Sequence, residues 1–268
     1  MKKKFKLGII GAGFMSSAII KGITKAKILS GSDICVSDVS TQSLQLISTY
    51  GVSTTLDNAE LVNNCSFVLF AIKPQNLKDV LASINGCDCS NFISIMAGVK
   101  KEKIKSNFPN SRVARAMPNT PCSIGFGTVG IDLADYTDEN DRAFIINLFS
   151  SFAKVIQITE DKLNAVTGVS GSSPAYFYLF VKGIIDAGVE HGLTYEQAKE
   201  LAVNTMIGAG NMILQNEDKS IDQLINAVCS KGGTTIQAID VYNNNNLTEI
   251  TKKAIESCVK RSIELENI

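Results

Sequence analysis

The sequence of 268 residues has no tryptophan, a single histidine (His191) and no excess of charge of either sign. One histidine excludes catalysis by a histidine pair and a metal centre built from several imidazoles, and we expect no bound metal. Lysine plus arginine equals aspartate plus glutamate, at 26 each. Because binding to nucleic acid or to a charged membrane surface needs a basic excess, neither is expected as a partner.

Long apolar runs are also missing, since no stretch approaches the ~20 apolar residues that span a bilayer. The N-terminal lysines and the small residues after them resemble a signal peptide, but they fit a strand, a turn and a helix better. The seven cysteines are odd in number and form no C-x-x-C pair, so neither a zinc ribbon nor a disulfide framework is expected. These features predict a cytoplasmic protein with reduced thiols.

What the chain does have is a first part in which apolar strands alternate with helical patterns. Such alternation predicts a parallel sheet that is covered by helices on both faces. The predicted strands are Phe5–Ile10, Asp33–Val36, Ser66–Ile72, Phe92–Ile95, Val113–Met117, Thr128–Ile131 and Val155–Ile158.

The pattern changes near residue 160, after which only long helical patterns occur. They cover about Ser173–His191, Tyr195–Gln215 and Thr248–Leu265, and Ser172 or Ser173 is expected to cap the first of them. The sequence therefore predicts an α/β protein. We expect an N-terminal, Rossmann-like parallel sheet domain over residues 1–160 and an all-helical C-terminal domain over residues 161–268.

The segment GAGFMS, residues 11–16, follows the first predicted strand and opens an amphipathic helix. It matches the G-x-G-x-x-[G/A/S] pattern of dinucleotide-binding turns. In such a turn Gly11 allows the tight bend, and Gly13 lets the backbone approach a pyrophosphate. The amides of Phe14 and Met15 at the helix start then face the phosphates.

Asp38 ends the second predicted strand, which is the place of an acidic residue that holds the ribose 2′-hydroxyl of a bound dinucleotide. A helix cap is an equally good interpretation, although Ser40 could cap the next helix itself. An aspartate here would repel the 2′-phosphate of NADPH. The chain also has no lysine or arginine from Val39 to Ala71. A preference for NADH over NADPH is therefore expected.

Three further segments follow predicted strands, where the carboxyl ends of strands form a ligand crevice. Ala71 and Lys73 come from AIKPQ, and Lys73 could meet a phosphate or ribose or be a solvated lysine. Ala97, from MAGV, precedes a glycine, and together they allow the close approach of a ring or sugar. Asn119, from RAMPNTP, lies in a loop that two prolines stiffen. All four residues are candidate cofactor ligands.

Two segments of small residues lie in the helical part. In GVSGSSPAY, residues 168–176, accessible amides at a helix start would favour an anion, or the glycines form a hinge. In CSKGGTT, residues 229–235, Gly232 and Gly233 expose amides beside two threonine hydroxyls. This second segment predicts a nest for a carboxylate, with an ordinary interhelical turn as the alternative.

These segments occur in the order seen in pyrroline-5-carboxylate reductases, which the chain resembles from residue 6 to about 260. The resemblance implies an enzyme that reduces 1-pyrroline-5-carboxylate to L-proline with NADH or NADPH, as the last step of proline biosynthesis. It also implies that the helical domains interlock in a homodimer, and that dimers often assemble further. One departure is Lys231, where the family usually has a proline.

The resemblance also assigns roles to the helical segment. Backbone amides of Gly232, Gly233 and Thr234 would hold the substrate carboxylate, with Ser230 beside them. Thr235 would be the catalytic residue, with its hydroxyl at the ring nitrogen. Because no carboxylate–histidine pair is present, the chemistry is expected to depend on orientation and electrostatics.

Two other functions fit parts of the sequence. A hydroxyacid-type dehydrogenase also joins a Rossmann domain to helices, but it reduces C=O with a lysine or histidine acid and has no role for the GGTT segment. A non-catalytic nucleotide-sensing protein would bind the dinucleotide without turnover.

Overall fold

The computed structural model describes residues 3–266. Eight strands form one sheet in the order β3-β2-β1-β4-β5-β6-β7-β8. The strands are β1 (Phe5–Ile10), β2 (Ile34–Ser37), β3 (Ser53–Thr55), β4 (Cys65–Phe70), β5 (Asn91–Ser94), β6 (Arg112–Pro118), β7 (Gly127–Asp132) and β8 (Ala153–Gln157).

Helices lie between many of the strands and form most of the chain after the sheet. They are α1 (Phe14–Lys25), α2 (Thr41–Ser48), α3 (Asn58–Asn64), α4 (Leu77–Ser83), α5 (Lys101–Lys105), α6 (Glu139–Ser150), α7 (Leu163–Val166), α8 (Ser173–Glu190), α9 (Tyr195–Gln215), α10 (Ile221–Val228), α11 (Thr234–Asn244) and α12 (Leu247–Leu265).

All seven predicted strands are present, with ends within two residues of the prediction. Their apolar runs arise because both faces of the sheet are covered. Consecutive residues of a strand face opposite sides of the sheet, and Ile9 and Ile10 of β1 are both buried, in different apolar clusters. The additional strand is β3, which sequence reasoning missed. Its residues are all polar and it lies at the edge of the sheet, so it carries no apolar signal.

The prediction of a parallel sheet needs one correction, because β7 runs antiparallel to β6. Only eight residues, 119–126, connect these two strands. A parallel connection needs a crossover of a dozen or more residues, usually with a helix. The short connection therefore forces the chain to turn back on itself.

The order of strands places β1 between β2 and β4. The chain thus moves outward in one direction through β2 and β3, and then crosses to the other side of β1. In open α/β sheets, this switch point leaves a crevice at the carboxyl ends of the central strands. The turn after β1, Asp38 after β2 and Ala71 after β4 all lie at that edge.

Helix α1 covers one face of the sheet with a stripe of fully buried isoleucines at Ile19, Ile20 and Ile23. Each buried side chain of this size contributes about 1.5–3 kcal/mol of transfer free energy. Gly22 lies on the same helix, and a β-carbon there would lie 2.6 Å from Cβ of Phe152. The glycine therefore lets α1 approach the turn before β8 closely.

The chain divides into two compact units, and the division differs from the expected boundary at residue 160. Unit 1 continues to Pro174 and also takes in the chain from Ser257 onward, whereas unit 2 is Ala175–Glu256. The reason is that segments after the sheet pack on it. The side chain of Val166, for example, packs against Gly130 of β7, where a β-carbon would lie 2.9 Å from it.

Unit 2 is helical, as predicted for this part of the chain. Helix α9 begins at a capping box in which Thr194 and Gln197 satisfy each other's backbone amides. Gly192 ends the preceding helix in the left-handed region at φ +94°. Within residues 3–266, no helix combines the length and apolar character that a membrane crossing requires.

Candidate active site

The turn after β1 has the backbone of an anion site. Gly11 lies at φ +105°, and a β-carbon on it would lie 2.6 Å from the carbonyl oxygen of Ala71, so only glycine fits here. Helix α1 begins at Phe14, directly after Gly13, with no capping side chain and no acidic residue in its first turn. Its first amides therefore remain available to a ligand.

Ser16 stabilises this turn in a way that sequence reasoning missed. The sequence indicated only that Ser16 is small enough for close packing. In the structure, Ser16 is fully buried and its hydroxyl donates to the carbonyl oxygen of Gly11 at 2.5 Å. The side chain thus satisfies a buried carbonyl that a third glycine in the motif would leave unpaired.

Asp38 contacts the same turn. Its Oδ2 accepts the backbone N–H of Ala12 at 2.7 Å, and its Oδ1 accepts the N–H of Ser40 at 2.8 Å. The cap of α2 is Ser40, whose hydroxyl accepts the N–H of Ser43 at 3.2 Å. Of the two interpretations of Asp38, the helix cap is therefore wrong, and the carboxylate bridges the ends of β1 and β2.

Ala71 and Lys73 follow β4 beside the glycine turn. The N–H of Ala71 donates to the carbonyl oxygen of Ile10 at 2.9 Å, which extends the β1–β4 pairing to the edge of the crevice. Lys73 is exposed, and no ion pair involves it within the described part of the chain. The structure thus brings Ala71 to Gly11 and leaves the ammonium group of Lys73 at the surface.

The MAGV segment differs from its prediction at its glycine. Gly98, at φ +65°, is approached by helix α12, because a β-carbon there would lie 2.6 Å from Cβ of Leu265. The close approach that the small residues allow is therefore made by the protein's own last helix at Gly98. Ala97 is half-buried at the end of β5, and its assignment as a cofactor ligand stays a prediction.

Asn119 forms hydrogen bonds that link the loop between Pro118 and Pro121 to neighbouring backbone. Its Oδ1 accepts the backbone N–H of Thr128 at 3.0 Å, and its amide points to Ser170 at 3.4 Å from the carbonyl oxygen. These contacts give the side chain a structural role that the sequence did not indicate. Its assignment as a cofactor ligand is an additional role, which stays a prediction.

The GVSGSSPAY segment does not form a helix start with accessible amides. Helices α7 and α8 are joined by a π-helical turn at Thr167–Gly171, and the N–H of Ser172 donates to Thr167 within it. Ser173 was expected as a possible cap, but its hydroxyl donates back to the carbonyls of Gly168 and Val169. The backbone of this segment is part of a continuous helical run, so it offers no helix start with free amides. The basis for predicting an anion site here is therefore removed.

A network of buried charges was also missed by sequence reasoning. Arg115 of β6 is buried and forms ion pairs with Glu160 at 3.2 Å and with Glu266 at 3.5 Å. Glu266 also pairs with Lys100 at 3.2 Å and accepts the side-chain amide of Asn164 at 2.9 Å. An arginine inside an apolar strand was the available signal. Its partners could not be found by spacing, since Glu266 is 151 positions away along the chain.

The GGTT segment forms the start of α11 in unit 2. Gly232 adopts φ +73° and Gly233 is the N-cap, with its N–H donating to Ser230 at 3.0 Å. Thr234 and Thr235 open the helix and are both exposed. The segment therefore presents the first amides of α11 and two hydroxyls, as the sequence indicated. The amide of Gly233 differs from the prediction, because it is already bonded to Ser230.

Comparison with known proteins gives similarity along nearly the whole chain. A family model described as pyrroline-5-carboxylate reductase dimerisation matches residues 160–265, and one described as NADP oxidoreductase coenzyme F420-dependent matches residues 6–98. A pyrroline-5-carboxylate reductase of Synechocystis is 36% identical over 262 residues, which are 97% of this chain and 98% of that protein. One of Staphylococcus aureus is also 36% identical, with 98% of each chain covered.

Solved structures agree with these relatives. Plasmodium falciparum pyrroline carboxylate reductase with NADP bound has a TM-score of 0.87 and 27% identity, covering 99% of this chain and 100% of that one. A pyrroline-5-carboxylate reductase of Coxiella burnetii has a TM-score of 0.86 and 33% identity, covering 98% of this chain and 99% of that one.

A mostly parallel sheet with a glycine turn at its switch point defines the class of Rossmann-fold, dinucleotide-binding proteins. Within that class, the relatives are more than 30% identical over almost the full length. The chain belongs to the pyrroline-5-carboxylate reductase family, which confirms the resemblance predicted from the motifs.

Proposed function

We propose that this protein reduces 1-pyrroline-5-carboxylate to L-proline with NADH or NADPH, as the last step of proline biosynthesis. The observation that carries the proposal is the open glycine turn at the sheet's switch point, in a chain whose full-length relatives are pyrroline-5-carboxylate reductases. The reaction consumes one imine, one proton and one reduced dinucleotide, and yields one proline and one oxidised dinucleotide.

The cofactor is assigned to the crevice at the end of β1. The residues present fit a dinucleotide, because a β-carbon built on Gly13 meets nothing within 4 Å and the first amides of α1 are uncapped. Amides of Gly13, Phe14 and Met15 would hold the pyrophosphate. When bound, the dinucleotide supplies a hydride for the imine carbon.

Other residues complete the proposed cofactor site. Gly11 gives the turn its shape. Ala71, a small residue that follows β4, lies against this glycine. Lys73, Ala97 and Asn119 follow the neighbouring strands β4, β5 and β6, so all three belong to the carboxyl edge of the sheet. Asp38 is assigned to the adenosine side.

The substrate is assigned to the start of α11. Amides of Gly232 and Thr234 suit a single carboxylate, because a helix N-terminus favours a negative group. Gly233 and Ser230 would shape this site through the bond between them. Thr235 would place its hydroxyl at the ring nitrogen and hold the protonated imine. Orientation of the substrate is then the main contribution of the protein to the rate.

We also propose a homodimer formed through unit 2. The family model that matches residues 160–265 is named for dimerisation, which supports a self-associating protein. In addition, Leu179 of α8 and Leu214 of α9 are 73% and 71% exposed in the single chain. Apolar side chains this exposed favour burial against a partner. Assembly of dimers into larger oligomers is a further part of the proposal.

The proposed location is the cytoplasm. Its support is chemical, since the seven cysteines are free and burial raises the pKa of the Cys35 thiol to about 11. Such thiols are poor nucleophiles and suit a reducing compartment. Fractionation of cells, with an antibody against the protein, tests this assignment.

The decisive experiment is an assay of NADH and NADPH oxidation with and without 1-pyrroline-5-carboxylate, with proline measured by chromatography. We expect oxidation only in the presence of the imine, with proline formed in equal amount. Activity on 2-oxo acids without activity on the imine would favour the hydroxyacid dehydrogenase. Binding of a dinucleotide without any turnover would favour the nucleotide sensor.

A further inference from the structure

We propose that Asp38 is a positioning residue, whose carboxylate anchors the turn Gly11–Gly13 so that the first amides of α1 face a pyrophosphate. The proposal rests on the proposed function only in that a dinucleotide binds at this edge of the sheet. It differs from a ribose ligand in what it acts on, because the pyrophosphate is common to NADH and NADPH.

The geometry gives the carboxylate two structural partners. Oδ2 accepts the N–H of Ala12, on the turn after β1, at 2.7 Å. Oδ1 accepts the N–H of Ser40, on the connection after β2, at 2.8 Å. Both distances are in the range of charge-assisted hydrogen bonds, which are about twice as strong as neutral ones. The side chain therefore ties the turn after β1 to the connection after β2.

The amides of the turn divide into two groups. The N–H of Gly11 donates to the carbonyl oxygen of Ser37 at 2.7 Å, and the N–H of Ala12 donates to Asp38. Both bonds lead to the end of β2 and hold the turn in place. The amides at the start of α1, from Phe14 onward, have no acceptor within the helix because they precede its first turn. These are the amides that a pyrophosphate can use.

A carboxylate is suited to this task in a way that a neutral amide is not. Each of its oxygens takes one backbone N–H, whereas an asparagine has a single acceptor oxygen and would turn a donor toward the other N–H. Asparagine can therefore hold Ala12 or Ser40, but not both, and the bond that it keeps is neutral and about half as strong. Loss or weakening of the bond to Ala12 would loosen the turn next to the pyrophosphate site.

The two roles of Asp38 make different predictions for cofactors. A ribose ligand acts at the 2′ position, which is where NADH and NADPH differ, so its loss changes the ratio of their affinities. A turn anchor acts on the shared pyrophosphate, so its loss weakens the binding of NADH, NADPH and ADP and leaves the binding of adenosine unchanged.

The test is Asp38→Asn, with dissociation constants for NADH and NADPH measured by calorimetry in the absence of imine. We expect the constant for NADH to rise about tenfold, as for the loss of one hydrogen bond to a charged group. The constant for NADPH should rise by less, because the substitution also removes a charge that repels the 2′-phosphate. In steady-state assays, the KM for the dinucleotide should rise more than kcat falls. ADP and adenosine serve as probes, and only the binding of ADP should weaken.

Asp57→Asn is the matched control. Asp57 also follows a strand of this sheet and accepts two backbone N–H groups, but both belong to its own helix α3. We expect its removal to leave the binding of NADH, NADPH and ADP unchanged. This comparison separates anchoring of the glycine turn from a general effect of losing a carboxylate.

Two results would overturn the proposal: equal losses for adenosine and ADP, or unchanged binding of ADP. If Asp38→Asn does not fold, as judged by its melting curve, Asp38→Glu keeps both oxygens and should weaken both cofactors equally by a smaller factor. Because binding is measured without imine, a failure of the imine assay would leave this test intact.

Discussion

Gly98 and Leu265 lie so close that a β-carbon on the glycine would be 2.6 Å from Cβ of the leucine. The carbonyl oxygen of Ser262, on the same final helix, would lie 3.0 Å from that atom. The end of α12 is therefore seated on the turn after β5. Glu266, directly after α12, adds ion pairs to Lys100 and Arg115. The part of α12 from Ser257 onward thus belongs to unit 1, although it lies far from the sheet along the chain.

This contact predicts that Gly98→Ala destabilises the protein. The substitution adds both backbone strain at φ +65° and a clash with backbone and side-chain atoms of α12, for a total cost of about 2–4 kcal/mol. Gly86→Ala is the control, because Gly86 also has a positive φ but its added carbon meets nothing within 4 Å. It should cost only about 1–2 kcal/mol. Urea unfolding measures both, and equal losses would contradict the contact.

The same pair of residues illustrates what could be predicted from the sequence. Seven strands could be predicted because a strand that is buried on both faces needs a run of apolar residues. Strand β3 was missed because an exposed strand at the edge of the sheet needs no such run. The glycine turn after β1 was predictable because its constraints are local. The partner of Gly98 was not, since a long-range contact leaves no local pattern. The hydrogen bond from Ala12 to Asp38 could not be predicted for the same reason, because it also joins residues that are far apart along the chain.

The pH dependence of stability should depend on Asp135. Burial by itself raises the pKa of the Asp135 carboxyl, but hydrogen bonds from Lys105 and Lys101 outweigh it and bring the pKa below its usual value. A carboxyl with a lowered pKa stabilises the fold above its unfolded pKa, and this contribution is lost as the pH falls through the folded pKa.

We therefore expect wild type to be more stable than Asp135→Asn from about pH 5 to pH 8, and the difference to shrink below about pH 4. Urea unfolding of both proteins across this range measures it. A difference that stays constant down to pH 3 would mean that the ion pairs with the two lysines contribute nothing to stability.

Thr235→Ala should lower turnover and leave dinucleotide affinity nearly unchanged, because the proposed partner of this hydroxyl, at the start of α11, is the ring nitrogen of the imine and not the dinucleotide. Loss of one hydrogen bond that is strongest in the transition state costs about 10- to 1000-fold in kcat. Thr235→Ser keeps the hydroxyl and should retain most of the activity.

The control for this prediction is Thr251→Ala, which removes a hydroxyl that donates to the backbone of its own helix at Leu247. Its kcat should equal that of wild type. Wild-type activity of Thr235→Ala would remove this threonine from the mechanism, and a loss in Thr235→Ser as large as in Thr235→Ala would show that the hydroxyl is not what matters.

The proposed homodimer predicts that Leu179→Asp yields monomers. Leu179 lies on α8 and is 73% exposed in the single chain, so a charge there would be buried without a partner on association. Leu46→Asp is the control, because Leu46 is 67% exposed but lies on α2 of unit 1. Light scattering should give a dimer or larger oligomer for wild type and for the control. A monodisperse, active wild-type monomer would refute the proposal.

Cofactor preference is the last prediction, and it depends on a missing charge. The 2′-phosphate of NADPH is normally met by an arginine or lysine just after the second strand. This chain has neither from Val39 through Ile72, and Val39 itself is 93% exposed beside Asp38. We therefore expect wild type to have a higher kcat/KM with NADH than with NADPH.

Val39→Arg tests the cause directly, since it places a cation at the open position. Opposite unit charges ~4 Å apart attract by about 4 kcal/mol at an effective dielectric constant near 20, and a third of that energy is already about tenfold in affinity. The substitution should therefore shift the ratio of kcat/KM toward NADPH by about tenfold or more, and the shift should shrink in high salt because ions screen an exposed pair. Val39→Gln, which is long and polar but neutral, should leave the ratio near its wild-type value.

A wild-type ratio that already favours NADPH would mean that groups other than a cation after β2 bind the 2′-phosphate. The hydroxyls at the start of α2, and the amides there that Ser40 does not cap, would then be the candidates.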